Sequence, residues 1–192
     1  SWGWISSEGG NAAQSDPTFR QVALSPKSGG AYTEYTRKML LQSSIDIENF
    51  VRTDLAIAAA LGIDLASLYG SGASGQPTGV ANQSGINTTT FAGADPTFAE
   101  VVAMQTAVDV DNALVCSLGY ITDAAMLDDS ETTEKASGTA QFIWEPGNTV
   151  NGYRAGITNQ VTDGDVFFGN WADLIIAMWG GLDLTVDPYT NS

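Results

Sequence analysis

The stretch DIENFVRTDLAIAAALGIDLASLYGSGASG, residues 46–75, decides the fold. Apolar side chains recur through most of it at steps of three and four residues, which predicts a long amphipathic helix over residues 46–69. Ser43 or Ser44 is in position to cap its first turn, and acidic residues such as Asp46 suit the positive end of the helix dipole. At about 1.5 Å per residue, this helix is roughly 36 Å long. We expect it to be the principal element of the chain.

Three glycines follow this helix in the spacing G-x-G-x-x-G, namely Gly70, Gly72 and Gly75. In a dinucleotide-binding turn the pattern follows a strand and opens a helix, whose N-terminus meets the pyrophosphate. Here the order is reversed, because the glycines come after a helix and are succeeded by Gln76 and Pro77. We therefore interpret them as a helix cap, with Gly70 in the left-handed conformation, and as a hinge.

The charge of the chain limits its partners. Seven lysines and arginines face 22 aspartates and glutamates, which gives a formal net charge of −15 over 192 residues. Nucleic-acid binders use clustered basic side chains, so we expect no direct binding of DNA or RNA. No apolar run approaches the ~20 residues that span a bilayer, and we expect no membrane partner.

Residue types that carry catalysis and metal binding are scarce. The sequence has no histidine, the commonest general base and zinc ligand. Its single cysteine, Cys116, lies in an apolar run, and we interpret it as a buried structural thiol. The acidic residues Asp128, Asp129, Glu131 and Glu134 suit a hard cation such as calcium, but a solvated acidic loop is the interpretation we favour. We predict no enzyme activity, no cofactor and no metal.

Helical and strand patterns interleave along the rest of the chain without a regular βαβ period, which predicts an α+β fold. Residues 31–36 are expected to be extended and to turn helical near Arg37. A second helix is expected with Asp95 as its cap and Pro96 at its first position, continuing over residues 97–110, and a short helix at residues 122–129. The polar residues 130–141 predict a mobile loop. Strands are expected at residues 19–24, 113–118, 142–144, 152–158, 165–169, 174–181 and 182–189.

Two functions of other classes stay open. The five tryptophans, Trp2, Trp4, Trp144, Trp171 and Trp179, would suit a carbohydrate-binding or adhesion module if they formed a row on one exposed face. Packing in a core or an interface is their commoner use, and the one we favour. A hydrolase with two carboxylates would require a cleft in which the carboxylates face each other and one of them has a shifted pKa.

The order of motifs over residues 4–80 resembles the middle of tailed-phage major capsid proteins, which have the Hong Kong 97-type fold. This sequence has WISSEGG, DPTF, alternating apolar residues, a helix opening near DIE, and the exit LYGSGASGQPTG. Residues 166–190, VFFGNWADLIIAMWGGLDLTVDPYT, are similar to the closing segment of that family. Each motif alone is loose, and it is their order along nearly the whole chain that makes the resemblance specific.

The resemblance implies a Hong Kong 97-like fold with a long spine helix, a peripheral domain and an axial domain. The implied divisions are the base of an extended loop at residues 1–15, the peripheral domain with the spine helix at 16–76, the axial domain at 77–181, and the start of a return strand at 182–192. Trp2 and Trp4, at the base of the extended loop, are then expected to contact a neighbouring subunit.

The function that the resemblance implies is architectural. Subunits of this family form pentamers and hexamers of an icosahedral shell around packaged DNA. The implied partners are copies of the chain itself, with a scaffolding protein or a protease left open. The implied location is the virion, after assembly in the cytoplasm of a bacterial host. The N-terminal arm, most of the extended loop and the last strand are missing relative to the family, so we expect this chain alone to be monomeric or weakly associating. An encapsulin-like or prophage-derived shell is the alternative within the same fold.

Overall fold

The computed structural model describes residues 21–42, 46–93, 95–114 and 117–187. Its α-helices are α1 (Arg37–Gln42), α2 (Ile47–Tyr69), α3 (Phe98–Val110) and α4 (Ala124–Thr132). Its strands form one sheet and are β1 (Leu118–Thr122), β2 (Trp144–Glu145), β3 (Thr149–Val150), β4 (Tyr153–Ile157) and β5 (Val166–Asn170). Helices and one sheet in a single chain confirm the predicted α+β class.

The long helix α2 has the predicted span, but its cap is a different residue. The Asp46 side chain accepts a hydrogen bond from Asn49 N at 3.2 Å and so satisfies one of the free N–H groups of the first turn. The expected caps Ser43 and Ser44 lie outside the described residues. One turn further, Glu48 and Arg52 form an exposed ion pair with 2.7 Å between the side-chain atoms.

Much of the apolar face of α2 is exposed. Ile47 and Leu68, at its two ends, are buried. Between them, Phe50, Ile57, Leu61 and Leu65 lie within about 80° of one another around the helix axis, at 3.6 residues per turn. We call these four residues the apolar stripe of α2. Their exposed fractions run from 45% for Leu61 to 63% for Phe50, so the described residues leave about half of this surface uncovered.

The second long helix, α3, begins with a capping box rather than with the expected Asp95-Pro96 cap. The Thr97 hydroxyl accepts from Glu100 N at 3.4 Å, and the Glu100 carboxylate accepts from Thr97 N at 2.8 Å. This reciprocal pair satisfies two free N–H groups at the helix start. The predicted helix is therefore confirmed, and Asp95 and Pro96 precede it instead of opening it.

The sheet has the strand order β2-β3-β4-β1-β5. β1 runs parallel to β4 and antiparallel to β5, so it is enclosed on both edges. In register, Tyr120 of β1 lies opposite Ala155 of β4 and Phe168 of β5. The turn from β3 to β4 is Asn151-Gly152, and both residues have positive φ, 49° and 82°. That pair is the preferred connection of a two-residue hairpin.

The core lies between the sheet and helices α3 and α4. Its buried members are Val101, Tyr120, Ile143, Trp144, Val150 and Ala155. Phe98, Met104, Leu127, Tyr153, Val166 and Phe168 pack against them. Burial of this one apolar cluster is the main stabilising contribution that the described residues show.

A hydrogen-bonded network crosses this core. Gln105 Nε2 donates to the Tyr120 hydroxyl at 2.8 Å, and that hydroxyl donates to Val101 O at 3.3 Å. Asn151 Nδ2 donates to Gln105 Oε1 at 2.7 Å. The network joins α3, β1 and the β3–β4 turn. Burial raises the pKa of Tyr120 to about 12, from an ordinary value of 10.0.

We expect the difference in unfolding free energy between the wild type and Tyr120→Phe to shrink as the pH rises from about 10 to about 12. The folded state favours the protonated phenol, so its stabilising contribution is complete below the unfolded pKa of 10.0 and is lost as the folded pKa of about 12 is approached. At pH 8 the variant should be less stable by about 1 kcal/mol, since it lacks the hydroxyl's hydrogen bonds. Urea titrations at pH 8, 10, 11 and 12 measure the difference, and a constant difference would contradict the prediction.

Two predicted elements differ in their bounds. The strand expected at residues 113–118 begins only at Leu118; Cys116 lies outside the described residues. The loop expected at residues 130–141 is partly ordered structure, because α4 continues to Thr132 and the Glu134 carboxylate accepts hydrogen bonds from the N–H groups of the turn that follows. The shorter helix and the strands expected near residues 152–158 and 165–169 are confirmed.

Three predicted strands are absent from the described residues. Residues 174–181 form no strand, so the strand expected there is wrong. Residues 21–24 and 182–187, the described parts of the strands expected at 19–24 and 182–189, form none either. Val22, Ile175 and Trp179 are all more than 60% exposed. Alternating apolar residues become a strand only when another strand satisfies their backbone groups. These segments have no such partner in the described part of the chain.

Candidate functional site

Gly70 ends α2 through a close backbone approach. Its N–H donates to Ala66 O at 2.9 Å. A Cβ at this position would lie 2.3 Å from Pro77 O and 2.5 Å from Ala66 O, so only glycine fits. Its φ is −50°, which any residue can adopt. The predicted left-handed conformation is therefore wrong, and glycine is required by the lack of space instead.

Gly72 and Gly75 make the tight loop that follows the helix. Their φ values are +71° and +82°, in the left-handed region that favours glycine. The N–H of Gly72 donates to Pro77 O at 3.0 Å, which folds the loop back on itself. The glycines follow a 23-residue helix, and the next α-helix begins only at Phe98, so the geometry differs from that of a dinucleotide-binding turn. Their role as a hinge stays a prediction.

The folded-back loop is attached to the end of α2. Gly79 N donates to Gly70 O at 2.8 Å, and the Asn82 amide donates to Tyr69 O at 3.0 Å and to Gly70 O at 3.1 Å. These bonds use carbonyl groups that the end of a helix leaves unpaired. Helix α2 and the loop up to Asn82 therefore form one connected unit.

The Tyr69 side chain connects this unit to the sheet. Its hydroxyl donates to Asp165 Oδ2 at 2.6 Å and accepts from Thr162 N at 3.0 Å. Its ring meets Phe167 of β5 edge to face, with 5.6 Å between the ring centres. Partial burial and the Asp165 carboxylate raise the pKa of Tyr69. The local sequence patterns singled out neither Tyr69 nor Asp165, which are 96 positions apart.

The acidic residues near α4 do not form a metal centre. No group of three or more histidine, cysteine, aspartate or glutamate side chains in the described ranges is arranged to hold a metal ion. Glu134 instead closes a turn by accepting from Gly138 N and Ala140 N, at 2.6 Å and 3.1 Å. Desolvation raises the pKa of Asp129, with smaller contributions from surrounding aspartates, Asp95, Asp128, Asp163 and Asp123.

A shallow depression beside β2 has two carboxylates, those of Glu131 and Glu145. Glu145 is paired with Lys135, and their hydrogen bond lowers the pKa of the Glu145 carboxyl. A general acid in a glycoside hydrolase has the opposite shift, since it must keep its proton near neutral pH. The Lys135 ammonium also lies 5.1 Å from the centre of the Phe98 ring. The ion pair with Glu145 thus keeps Lys135, and the turn that carries it, against Phe98 of α3.

The described tryptophans do not form an exposed row. Trp144 is buried in the core, and Trp171 is half-buried with its indole N–H donating to Gly119 O at 2.9 Å. Trp179 is exposed on an irregular segment. Trp2 and Trp4, the expected intersubunit contacts, lie outside the described residues. As for membranes, none of the helices in the described ranges is long and apolar enough to cross one.

The described residues thus combine a helix-and-sheet domain with a long helix whose apolar stripe is exposed within them. The family model for the phage capsid family matches residues 2–192. The chain belongs to the phage capsid family.

Known proteins similar to the chain carry capsid names. The major capsid protein of Halomonas phage phiHAP-1 is 39% identical over 192 residues, which is 98% of this chain and 31% of that protein. The chain therefore spans about a third of the length of this curated relative. Among solved structures, a chain from the capsid of an empty GTA particle, computed with C5 symmetry, has a TM-score of 0.49 and 21% identity, and covers 67% of this chain and 47% of that one.

Proposed function

We propose that the chain is part of a structural subunit of a phage head, which forms pentamers and hexamers of an icosahedral shell around packaged DNA. The observation that carries the proposal is the match of the phage capsid family model to residues 2–192. The 39% identity to a protein named major capsid protein supports it. On this proposal the protein works in the virion, after assembly in the bacterial cytoplasm, and its partners are its own copies. A scaffolding protein or a protease fits the same scheme.

The physical properties of the chain agree with a structural role. A net charge of −15 suits a shell protein that encloses nucleic acid without binding it tightly. Large apolar side chains are exposed on α2 and over residues 174–187, as expected of surfaces that other protein covers. The same features suit an encapsulin-like or prophage-derived shell, and nothing in the chain favours that alternative.

The test of the function is electron microscopy of the protein expressed alone at its natural full length and purified by size. Closed shells, or rings of five and six subunits, are the expected result. A monodisperse protein that neither forms particles nor is incorporated when co-expressed with the other head proteins of its phage would overturn the proposal. Binding of the same protein to a glycan array would then favour the adhesion alternative.

We also propose the domain division that the family resemblance implies. Residues 16–76 belong to a peripheral domain with α2 as its spine, residues 77–181 to an axial domain, and residues 182–192 to the start of a return strand to the peripheral domain, which forms only when the shell assembles. Residues 1–15, with Trp2 and Trp4, form the base of an extended loop that contacts a neighbouring subunit. The 192-residue chain by itself is monomeric or weakly associating.

The return strand is the segment that we propose to cover the apolar stripe of α2. Leu182, Leu184 and Val186 alternate with polar residues, so an extended backbone brings them to one face. Leu182 and Val186 are 62% and 52% exposed in the described chain. Six residues of strand span about 20 Å. The stripe, from Phe50 to Leu65, spans about 22 Å of helix, so the two surfaces match in length.

Leu61→Asp is expected to lower the hydrogen-exchange protection of both α2 and residues 182–187 in the assembled protein. Leu61 is in the middle of the stripe, and a buried, unpaired carboxylate there would oppose the packing. Ile63→Asp is the matched control, because Ile63 is equally exposed, at 41% against 45%, and lies on the opposite side of the helix. Mass spectrometry after deuterium labelling measures the protection. Wild-type protection of both segments in Leu61→Asp would contradict this packing.

A further inference from the structure

The described chain consists of two bodies with an irregular connection between them. The first is α2 with the loop to Asn82, which is attached to the helix end by the Asn82 amide. The second is the sheet with α3 and α4. Residues 83–86 join them without helix or strand, and Gly85 within them has a φ of +85°, whereas the Asn87 amide already donates to Ala107 O of α3 at 3.1 Å. The backbone alone therefore leaves the angle between the two bodies weakly determined.

In the described residues, the hydrogen bonds between α2 and the sheet body all use the Tyr69 hydroxyl. It donates to Asp165 Oδ2 and accepts from Thr162 N, while its ring packs on Phe167. A hydroxyl that donates to a carboxylate makes a stronger bond than one between neutral groups. Tyr69 is the last residue of α2, so its side chain acts at the end of the helix that is nearest to the connection between the two bodies.

The receiving side of this contact is held firmly by the sheet. Asp165 O accepts from the Thr122 hydroxyl at 3.1 Å, and Thr122 is 2% exposed at the end of β1. Asp165 N donates to Thr162 O at 3.0 Å, which closes the turn that leads into β5. Both partners of the Tyr69 hydroxyl are therefore parts of one turn that is fixed to β1 and leads into β5.

We propose that Tyr69 and Asp165 form a clasp that sets the angle of α2 against the sheet body. With the clasp closed, the two bodies hold one orientation. With the clasp open, the ring contact to Phe167 and the irregular connection allow a range of angles about the glycine loop. Tyr69 is thus a positioning residue, and its role differs from that of the glycines, which permit the angle to change.

The test measures the distance between the two bodies by pulsed electron spin resonance. Spin labels are placed at Ala60→Cys on α2 and Ala125→Cys on α4, both exposed positions, in a Cys116→Ser background. The width of the distance distribution is expected to roughly double in Tyr69→Phe and in Asp165→Ala. The double variant should be no wider than either single variant, because the two residues share one interaction.

Tyr153→Phe is the matched control. Tyr153 packs its ring on Phe168 within the sheet body, at 5.3 Å between centres, and is not part of α2. The distance distribution of the Tyr153→Phe variant should equal that of the wild type. The far-UV circular dichroism should be unchanged in all variants. A wild-type width in Tyr69→Phe would overturn the proposal. So would equal broadening in Tyr153→Phe, or loss of helical signal in Tyr69→Phe, since Tyr69 would then support the fold rather than the angle.

Discussion

Gly70→Ala is expected to destabilise the protein by about 3 kcal/mol, because overpacking against fixed backbone cannot be relieved by rotation of a side chain. The added Cβ would lie 2.3 Å from Pro77 O and 2.5 Å from Ala66 O, and both are main-chain atoms. The overlap between the added Cβ and these oxygens can be removed only if the loop moves away from the helix end. The hydrogen bond from Gly79 N to Gly70 O, 2.8 Å long, would be lost in that movement.

Gly62→Ala is the matched control on the same helix. Nothing lies within 4 Å of a Cβ at position 62, and the residue is in the middle of α2. Alanine there should stabilise the protein by about 0.5–1 kcal/mol, because glycine is the poorer helix former. The two Gly→Ala substitutions thus have opposite expected signs. Urea denaturation followed by circular dichroism measures both, and a neutral Gly70→Ala would show that the loop is not held against the helix.

Ile143→Ala is expected to lower the unfolding free energy by about 2–5 kcal/mol, the range for removing a large aliphatic side chain from a packed core. Ile143 is 1% exposed and belongs to the cluster of Val101, Tyr120 and Trp144. The cavity would open where α4 and β2 meet α3. Thermal and urea unfolding of the purified chain measure the loss.

Ile175→Ala removes the same atoms from an exposed position. Ile175 is 73% exposed on a segment without helix or strand, so the change should stay within about 0.5 kcal/mol. Comparable losses from the two substitutions would mean that residues 174–187 pack against the core in solution. A small loss from Ile143→Ala would mean that the core is not closed around β2.

Local patterns predicted the helices well and the caps less well. The repeat of apolar residues along α2 depends on nearest neighbours alone, so residues 46–69 could be assigned without tertiary information. Caps depend on which side-chain oxygen reaches a free N–H group. Thr97 and Glu100 have the capping-box spacing, a local signal that competes with Asp95-Pro96. Asn151-Gly152 is likewise a strong local signal, in this case for a hairpin.

The remaining differences come from contacts between residues far apart in the chain. The alternation at residues 174–187 predicts strands, but a strand also needs a partner strand, and these residues pair with none among the described residues. The spacing of Gly70 predicted a cap, but the carbonyl oxygen that excludes a side chain belongs to Pro77, beyond the turn. The contact of Tyr69 with Asp165 joins two elements 96 positions apart and leaves no local pattern.

The pairing of β1 has a consequence for the order of events during synthesis. β1 finds both of its neighbours later in the chain, β4 at residues 153–157 and β5 at 166–170. Helix α2, in contrast, needs only its own residues to form its hydrogen bonds. The ribosome therefore releases a helix with an apolar surface well before β1 can be paired on both edges, because long-range pairing waits for the last strand. During this interval β1 is unpaired, and its open edges expose the nascent chain to aggregation until Asn170 has emerged.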